Sequence, residues 1–235
     1  QCNKTAHWKN RPEGKPFFAV FNTTISHESC IHKSISNDQL RHSPDEVPIP
    51  PHHPATPDMR HDWAQYYDKV EDMDTEIGRL LKELDDAGLA ENTIVFYYGD
   101  HGGVLARSKR YVYETGTHVP FIVRIPEKYK YLFPSEKPNT KVNRLISFVD
   151  LVPTVLSIIG TKIPDYLQGN AFLGKQKTAD PEYAYMFRGR MDERYDMCRA
   201  VRDQKFRYIR NYMPYRIYGQ RLEYLFRAPS IRSWK

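Results

Sequence analysis

Between Asp62 and Asp100 a helical repeat passes directly into a continuous apolar run, and that succession constrains the fold more than any other stretch of the chain. Apolar residues recur at positions 63, 66/67, 70, 73, 77, 80/81 and 84, the spacing of a helix with one buried face, and Gly88 follows as a stop signal. The next segment, NTIVFYYGD, is too uniformly apolar for a strand with one wet face and predicts a central, parallel strand. Helix followed by buried strand is the alternation of an α/β fold. PFFAVFN (16–22) reads as another buried strand and VPFIVRIP (119–126) as a third. DLVPTVLSIIG predicts a helix with Asp150 as N-cap, Pro153 in the first turn and Gly160 as the C-terminal signal.

Residues 42–58 contain six prolines, which excludes helix and central strand and predicts an extended surface loop. Past Gly169 the texture changes to short, closely spaced strand-like runs, YAYMF, MCRAVR and FRYIRNY. The expected organisation is an α/β body over 1–168 and a small antiparallel subdomain over 169–235. The net charge of +6 is concentrated in that second part, since residues 184–235 carry thirteen Lys/Arg against five Asp/Glu. Arginine and tyrosine interleave there, a pattern that suits amphipathic strands with arginines facing solvent or an anionic ligand, and no nucleic-acid partner is expected. LVPTVLSIIG, the longest apolar stretch, is about half of what a bilayer crossing needs, so no membrane span is expected. Three cysteines, Cys2, Cys30 and Cys198, fit neither a zinc ribbon nor a disulfide framework, and leave one pairing open.

Ligands of open α/β sheets bind outside the carboxyl ends of the strands, where Asp100 and His101 stand. An acidic oxygen beside an imidazole suits a divalent cation, and the glycines that follow allow close backbone approach. The same Asp could instead cap a turn, with His101 incidental. Lys109 returns toward the same strand-end cleft, as a cation that would stabilise charge on the departing group of a sulfate or phosphate ester. His27 lies on another strand-end loop, where an imidazole can donate to an anionic oxygen or protonate a leaving group. Each of these side chains alone would be an ordinary loop or surface residue. Their recurrence at strand ends makes them candidates.

Four segments, PFFAVFNTTISH, YYDKVEDMDTEIGRLLKELDDAGLAENTIVFYYGDHGG, KRYVYETGTHVPFIVRIP and SFVDLVPTVLSIIG, closely resemble, in order and spacing, the type I sulfatases of the alkaline-phosphatase-like superfamily. The resemblance runs from about residue 15 to 165, and MCRAVRDQKFRYIRN looks like that family's small C-terminal sheet. It implies an incomplete alkaline-phosphatase-like α/β fold with a mostly parallel sheet flanked by helices, and calcium-dependent hydrolysis of sulfate esters by a formylglycine nucleophile. Carried over by position, Asp100 and His101 would be ligands of one Ca2+, the His standing where many members have Asn. Lys109 would contact the sulfate, and His27 would contact the sulfate or its leaving oxygen, although Ser29 stands where the family often has Pro. His118 stands where many members have Arg before VP and would bear on substrate selectivity.

The family's nucleophile motif, C-x-P-S-R, is absent, as is its early Asp-Asp calcium pair. The expectation is that this chain corresponds to the C-terminal part of a sulfatase, with the formylglycine on the N-terminal part, and that the isolated chain is inactive. The partner would be a sulfated small molecule or polysaccharide, in a secreted, periplasmic or lysosomal setting by resemblance. Two alternatives stay open. One is a non-catalytic sulfatase-like binding protein. The other is a two-zinc phosphohydrolase or phosphodiesterase of the same superfamily, for which His118 is the sole histidine after His101.

Overall fold

The structure, a computed structural model, describes residues 6–132, 137–217 and 219–233. A 30-residue helix, α1 (Pro57–Asp86), forms its spine. Pro57 opens the helix with its fixed φ, and the Thr56 hydroxyl accepts the Met59 N–H at 3.3 Å, so both ordinary start signals are present. The chain then enters β1 (Val95–Tyr98), passes through a loop containing the one-turn α2 (Glu114–Thr117), and returns as β2 (Phe121–Arg124). α3 (Leu151–Ile158) follows, then a three-stranded sheet of β3 (Ala184–Met191), β4 (Arg194–Arg202) and β5 (Arg207–Asn211), and finally α4 (Pro229–Arg232).

The helices and the small C-terminal sheet stand where the sequence pattern puts them, with β3, β4 and β5 antiparallel in that order. The expectation for β1 needs correction. It pairs antiparallel with β2, Val95 opposite Arg124 and Tyr98 opposite Phe121, in a two-stranded sheet where it is half-buried rather than central. The chain folds back through the 99–118 loop, and Gly99 N–H to the Pro120 carbonyl (3.2 Å) extends the pairing past the strand ends.

PFFAVFN forms no strand: among the described residues nothing pairs with it, and a strand without a neighbour leaves its backbone groups to water. Phe18, Val20 and Phe21 are exposed there, while Phe17 stacks on Trp8 with ring centroids 5.8 Å apart. The proline-rich segment does not stay extended as expected: it makes two turns before α1, closed by the Glu46 and Val47 N–H groups on the Ser43 carbonyl and by His53 N–H on the Pro50 carbonyl, and it is not wholly on the surface, since Val47 and His53 are buried. Asp150 occupies the N-cap position of α3, but its carboxylate accepts Ser147 N–H and Asn170 N–H, both at 2.8 Å, tying the helix entry to a neighbouring loop. Cys30 and Cys198 are free thiols, so they do not pair with each other, and Cys2 lies outside the described residues. No helix among the described residues is long and apolar enough to cross a membrane.

One hydrophobic cluster joins distant parts of the chain: Ile31, Met59, the run Val104–Leu105–Ala106, and Leu222, Leu225, Ala228 and Ile231. The segment after β5 therefore packs back onto the start of α1. The face that α1 buries there is polar as well as apolar. Asp62, Gln65 and Asp68, spaced three apart, are all buried and all bond to backbone. Asp62 accepts Ser230 N–H at 2.9 Å. Gln65 donates to the Cys30 and Lys33 carbonyls at 2.6 and 2.9 Å and accepts Ile35 N–H at 3.1 Å. Asp68 accepts the N–H groups of Arg41 and His42 at 3.0 and 3.1 Å. These side chains supply, from a rigid helix, the hydrogen bonds that loops cannot make among themselves.

Gln65→Leu keeps the volume but strands three backbone groups, and unmet buried partners cost about 1–3 kcal/mol each. The variant is expected to lose at least about 2 kcal/mol, read as a lower urea midpoint at unchanged slope. An unchanged midpoint would show that the loops hold without α1.

Candidate active site

The loop from Gly99 to His118 carries most of the candidate residues, and two glycines let it fold on itself. A side-chain carbon on Gly102 would lie 1.7 Å from the Thr115 carbonyl oxygen, and one on Gly116 would lie 2.3 Å from those of Ser108 and Tyr111. Gly102 N–H bonds the Gly116 carbonyl and Lys109 N–H bonds the Gly103 carbonyl, each at 3.0 Å. Val104, Leu105 and Ala106 plug the loop into the core. His53 latches it: Trp63 Nε1–H donates to His53 Nδ1 at 3.1 Å, so the opposite Nε2–H donates to the Ala106 carbonyl at 2.8 Å. Burial lowers the pKa of His53, which favours this neutral arrangement.

Arg107 and Arg110 adopt left-handed backbone conformations, φ 65° and 79°, each costing on the order of 1 kcal/mol. Arg110 is held there by its side chain. Its guanidinium is buried and donates to Glu28 Oε1 at 2.8 Å and to Asp192 Oδ2 at 2.6 Å. Burial works against the Arg110 charge, but the bonds to Glu28 and Asp192 raise its pKa. Glu28 is itself fully buried, and its second oxygen faces the Lys109 ammonium at 3.7 Å.

The structure brings His27 and Lys109 together across 82 residues of sequence, Nε2 to Nζ at 3.5 Å. His27 caps the short 3-10 turn 28–31, and its Nδ1 accepts Ser29 N–H at 3.3 Å. A neutral imidazole accepting at Nδ1 carries its proton on Nε2. His27 Nδ1 also lies 3.0 Å from the Ser29 hydroxyl; in the tautomer that donates there, Nε2 accepts from the Lys109 ammonium, and in the imidazolium both groups donate toward a shared anionic oxygen. Tyr224 walls the site, edge-on to His32 with ring centroids 4.5 Å apart and 6.1 Å from His27. Glu28 and Tyr224 are site residues that sequence reasoning missed, and Arg110, noted beside Lys109 as a cation near the cleft, was given no role of its own. Arg110 follows Lys109 directly, and Glu28 follows His27 directly, so adjacency was the available signal.

Asp100 and His101 also meet, with Oδ1 and Nε2 3.6 Å apart. The His101 Nδ1–H donates to the Gly102 carbonyl at 2.7 Å, which leaves the Nε2 lone pair free on the side of the Asp100 carboxylate. An exposed carboxylate and an oriented imidazole nitrogen fit two positions of a divalent-cation site. They do not form a three-ligand group among the described residues. The three-residue group found there, His42, Asp68 and Glu71, was not foreseen, and its Asp68 oxygens are already spent on backbone and on His42 Nδ1 (2.7 Å). His118 takes no part in the His27–Lys109 contact. It is exposed and bonds Glu114 Oε1 at 2.6 Å, within a network in which Arg202 and Arg207 also hold Glu114, at 2.7 and 2.6 Å. Among the described residues no thiol is poised as a nucleophile, since burial pushes Cys30 up to about 11 and raises Cys198 as well.

The family model described as Sulfatase matches residues 2–161. The chain belongs to the sulfatase family. An ulvan-active sulfatase of Formosa agariphila is 39% identical over 262 residues, which cover 97% of this chain and 43% of that protein. Human N-sulphoglucosamine sulphohydrolase is 29% identical over 182 residues, covering 72% of this chain and 35% of its own length. Among solved structures, yidJ of Bacteroides fragilis matches with a TM-score of 0.54 at 23% identity, over 78% of this chain and 40% of its own. A protein solved in complex with its substrate D-glucosamine-2-N,6-O-disulfate gives a TM-score of 0.51 at 24% identity, over 68% and 33%. Those likenesses show the fold, an incomplete α/β domain of the sulfatase kind. The chain spans less than half the length of these relatives.

Glu28→Gln leaves Arg110 buried with Asp192 alone and releases Lys109 from its anchor. Breaking a buried pair costs about 3–5 kcal/mol, and thermal unfolding is expected to show a loss of that order; a shift under about 1 kcal/mol would mean the pair is dispensable.

Glu114 gives a pH signature. Burial alone would raise its carboxyl, but Arg207, His118 and Arg202 hold it below the ordinary value of 4.5. A depressed carboxyl stabilises the fold above its unfolded pKa and loses that contribution as pH falls through the folded value. Glu114→Gln should flatten the decline in melting temperature below pH 4.5; an unchanged decline would assign it to other carboxylates.

Proposed function

We propose that this chain supplies one side of the active site of a sulfuric ester hydrolase acting on a sulfated polysaccharide, with the covalent nucleophile contributed by the remainder of the family fold. The observation that carries this reading is the convergence of His27 Nε2 and Lys109 Nζ at 3.5 Å, backed by a fully buried Glu28. With His27 as the imidazolium, its Nε2–H and the Lys109 ammonium are two donors matched to a sulfate oxygen, and their value rises as charge gathers on the departing oxygen when the S–O bond breaks. Lys109 binds the anion and offsets that charge. His27, as the imidazolium, is placed to protonate the leaving oxygen through Nε2 and is left as the neutral imidazole. Asp100 and His101 are the residues that would hold calcium, which would polarise the sulfate group when bound. The polysaccharide reading rests on the 39% identical relative, whose name gives ulvan as its substrate.

The proposal is tested with a polypeptide in which the N-terminal half found in the relatives precedes this chain. It should release sulfate from ulvan in a calcium-dependent manner, while the 235-residue chain alone should give no turnover. Lys109→Ala should lower kcat/KM by about 10²–10³, and His27→Ala by about 10² with loss of the basic limb of the pH profile. A Lys109→Ala enzyme within twofold of the parent would sink the assignment. Binding of the polysaccharide without turnover by the longer polypeptide would make it a binding protein instead.

A further inference from the structure

The turn that His27 caps carries a second polar side chain against the same ring. Ser29 lies two residues on, and its hydroxyl Oγ sits 3.0 Å from His27 Nδ1. The Ser29 backbone N–H reaches that nitrogen too, at 3.3 Å. The two contacts make opposite demands. An N–H needs a lone pair on Nδ1, whereas a hydroxyl accepts a proton from Nδ1 as readily as it donates one. At the far end of the ring the Lys109 ammonium, which can only donate, stands 3.5 Å from Nε2. With no anion between them, Lys109 favours a bare Nε2 and sends the ring proton to Nδ1, where the Ser29 hydroxyl accepts it. A proline at this place, frequent in the family, would offer the ring neither group.

We propose that Ser29 is a positioning residue for His27: its hydroxyl holds a proton on Nδ1, so that the proton His27 gives up is the one on Nε2. The inference rests on the sulfate-ester reading above and names the group behind its proton donor. In the imidazolium, Nδ1–H donates to Ser29 Oγ while Nε2–H points at the leaving oxygen. As the nucleophile of the remaining part of the fold bonds to sulfur, the S–O bond breaks and its electron pair goes to the departing oxygen. That oxygen takes the Nε2 proton, and the N–H bonding pair stays on Nε2. The ring is left neutral, with Nδ1–H still on Ser29 Oγ and the Nε2 lone pair facing Lys109. Neither ring rotation nor exchange of tautomers is needed between the two states. The other charged and titratable neighbours have partners of their own. Glu28 is held by Arg110 and Lys109. His32, whose pKa is lowered first by burial and in part by Arg227, His27 and Arg110, packs edge-on to Tyr224, with Arg227 5.1 Å over that ring. Among the described residues only Ser29 bonds Nδ1.

The test reads the ring directly, by nitrogen NMR of the 235-residue chain labelled at histidine, which shows which ring nitrogen carries the proton. Neutral His27 of the parent should carry it on Nδ1. Ser29→Ala, at an exposed position, keeps the backbone N–H and loses the hydroxyl, so the proton should move to Nε2. The charged ring loses an acceptor in that variant, and the His27 titration midpoint should fall by about half a pH unit or more. Ser29→Thr, which keeps a hydroxyl, should restore both. In the longer polypeptide, Ser29→Ala should move the basic limb of kcat/KM to lower pH by the same amount. A parent ring protonated on Nε2, or a Ser29→Ala ring with the parent's tautomer and midpoint, overturns the positioning role; the sulfate reading then still stands if Lys109→Ala abolishes sulfate release. If the tautomer moves in Ser29→Ala but the longer polypeptide releases no sulfate, the Ser29–His27 arrangement stands and the sulfate reading fails.

Discussion

Everything at the candidate site depends on a fully buried carboxylate. Glu28 sits fully buried between the guanidinium of Arg110 and the ammonium of Lys109, and Arg110 in turn reaches Asp192 in the turn between β3 and β4. Burying such ions costs several kcal/mol apiece, recovered only through close, hydrogen-bonded geometry. A buried pair is thus poor at adding stability but strict about position. Here it fixes three remote pieces of chain against one another, and it holds Arg110 in a backbone conformation that few side chains adopt. Lys109 inherits its placement from that arrangement. The ammonium is anchored from behind by Glu28 and offers its remaining protons toward His27.

α1 solves a second problem by the same means. The loops that surround the site lack sheet neighbours, and their backbone groups need partners. Asp62, Gln65 and Asp68 provide them from one face of a regular helix, so irregular chain is held with the precision of a rod. Asp62 carries the cost openly: burial raises its pKa although Ser230 N–H and His61 oppose the shift.

Much of this was legible in the sequence, and the parts that were not share a cause. The period of α1, the β1 strand ending in Asp100–His101, and the three short C-terminal strands are local patterns, and local patterns survive into the fold. PFFAVFN failed because a continuous apolar run specifies burial without specifying a partner, and pairing is a property of two segments. The buried Asp62, Gln65 and Asp68 of α1 were not foreseen, because a hydrophobic repeat marks only one way of being buried. The Glu28–Arg110 pair was missed because the contact spans 82 residues. His27 and Lys109 were candidates from their expected strand-end positions and from the family resemblance, and the structure brings their side chains together.

The core that seats the site has its own order of assembly. Ile31 and Ile231 belong to one cluster with the 104–106 plug of the Lys109 loop. Contacts between residues that far apart form only after long stretches of chain have been closed, which makes such topologies slow to fold. On the ribosome, the Lys109 loop is complete when more than a hundred residues have still to be added, and its apolar plug has no lid until Leu222–Ile231 emerges. The His27–Lys109 pairing is thus a late product of synthesis, and until Leu222–Ile231 arrives the growing chain carries an open hydrophobic seam of the kind chaperones hold.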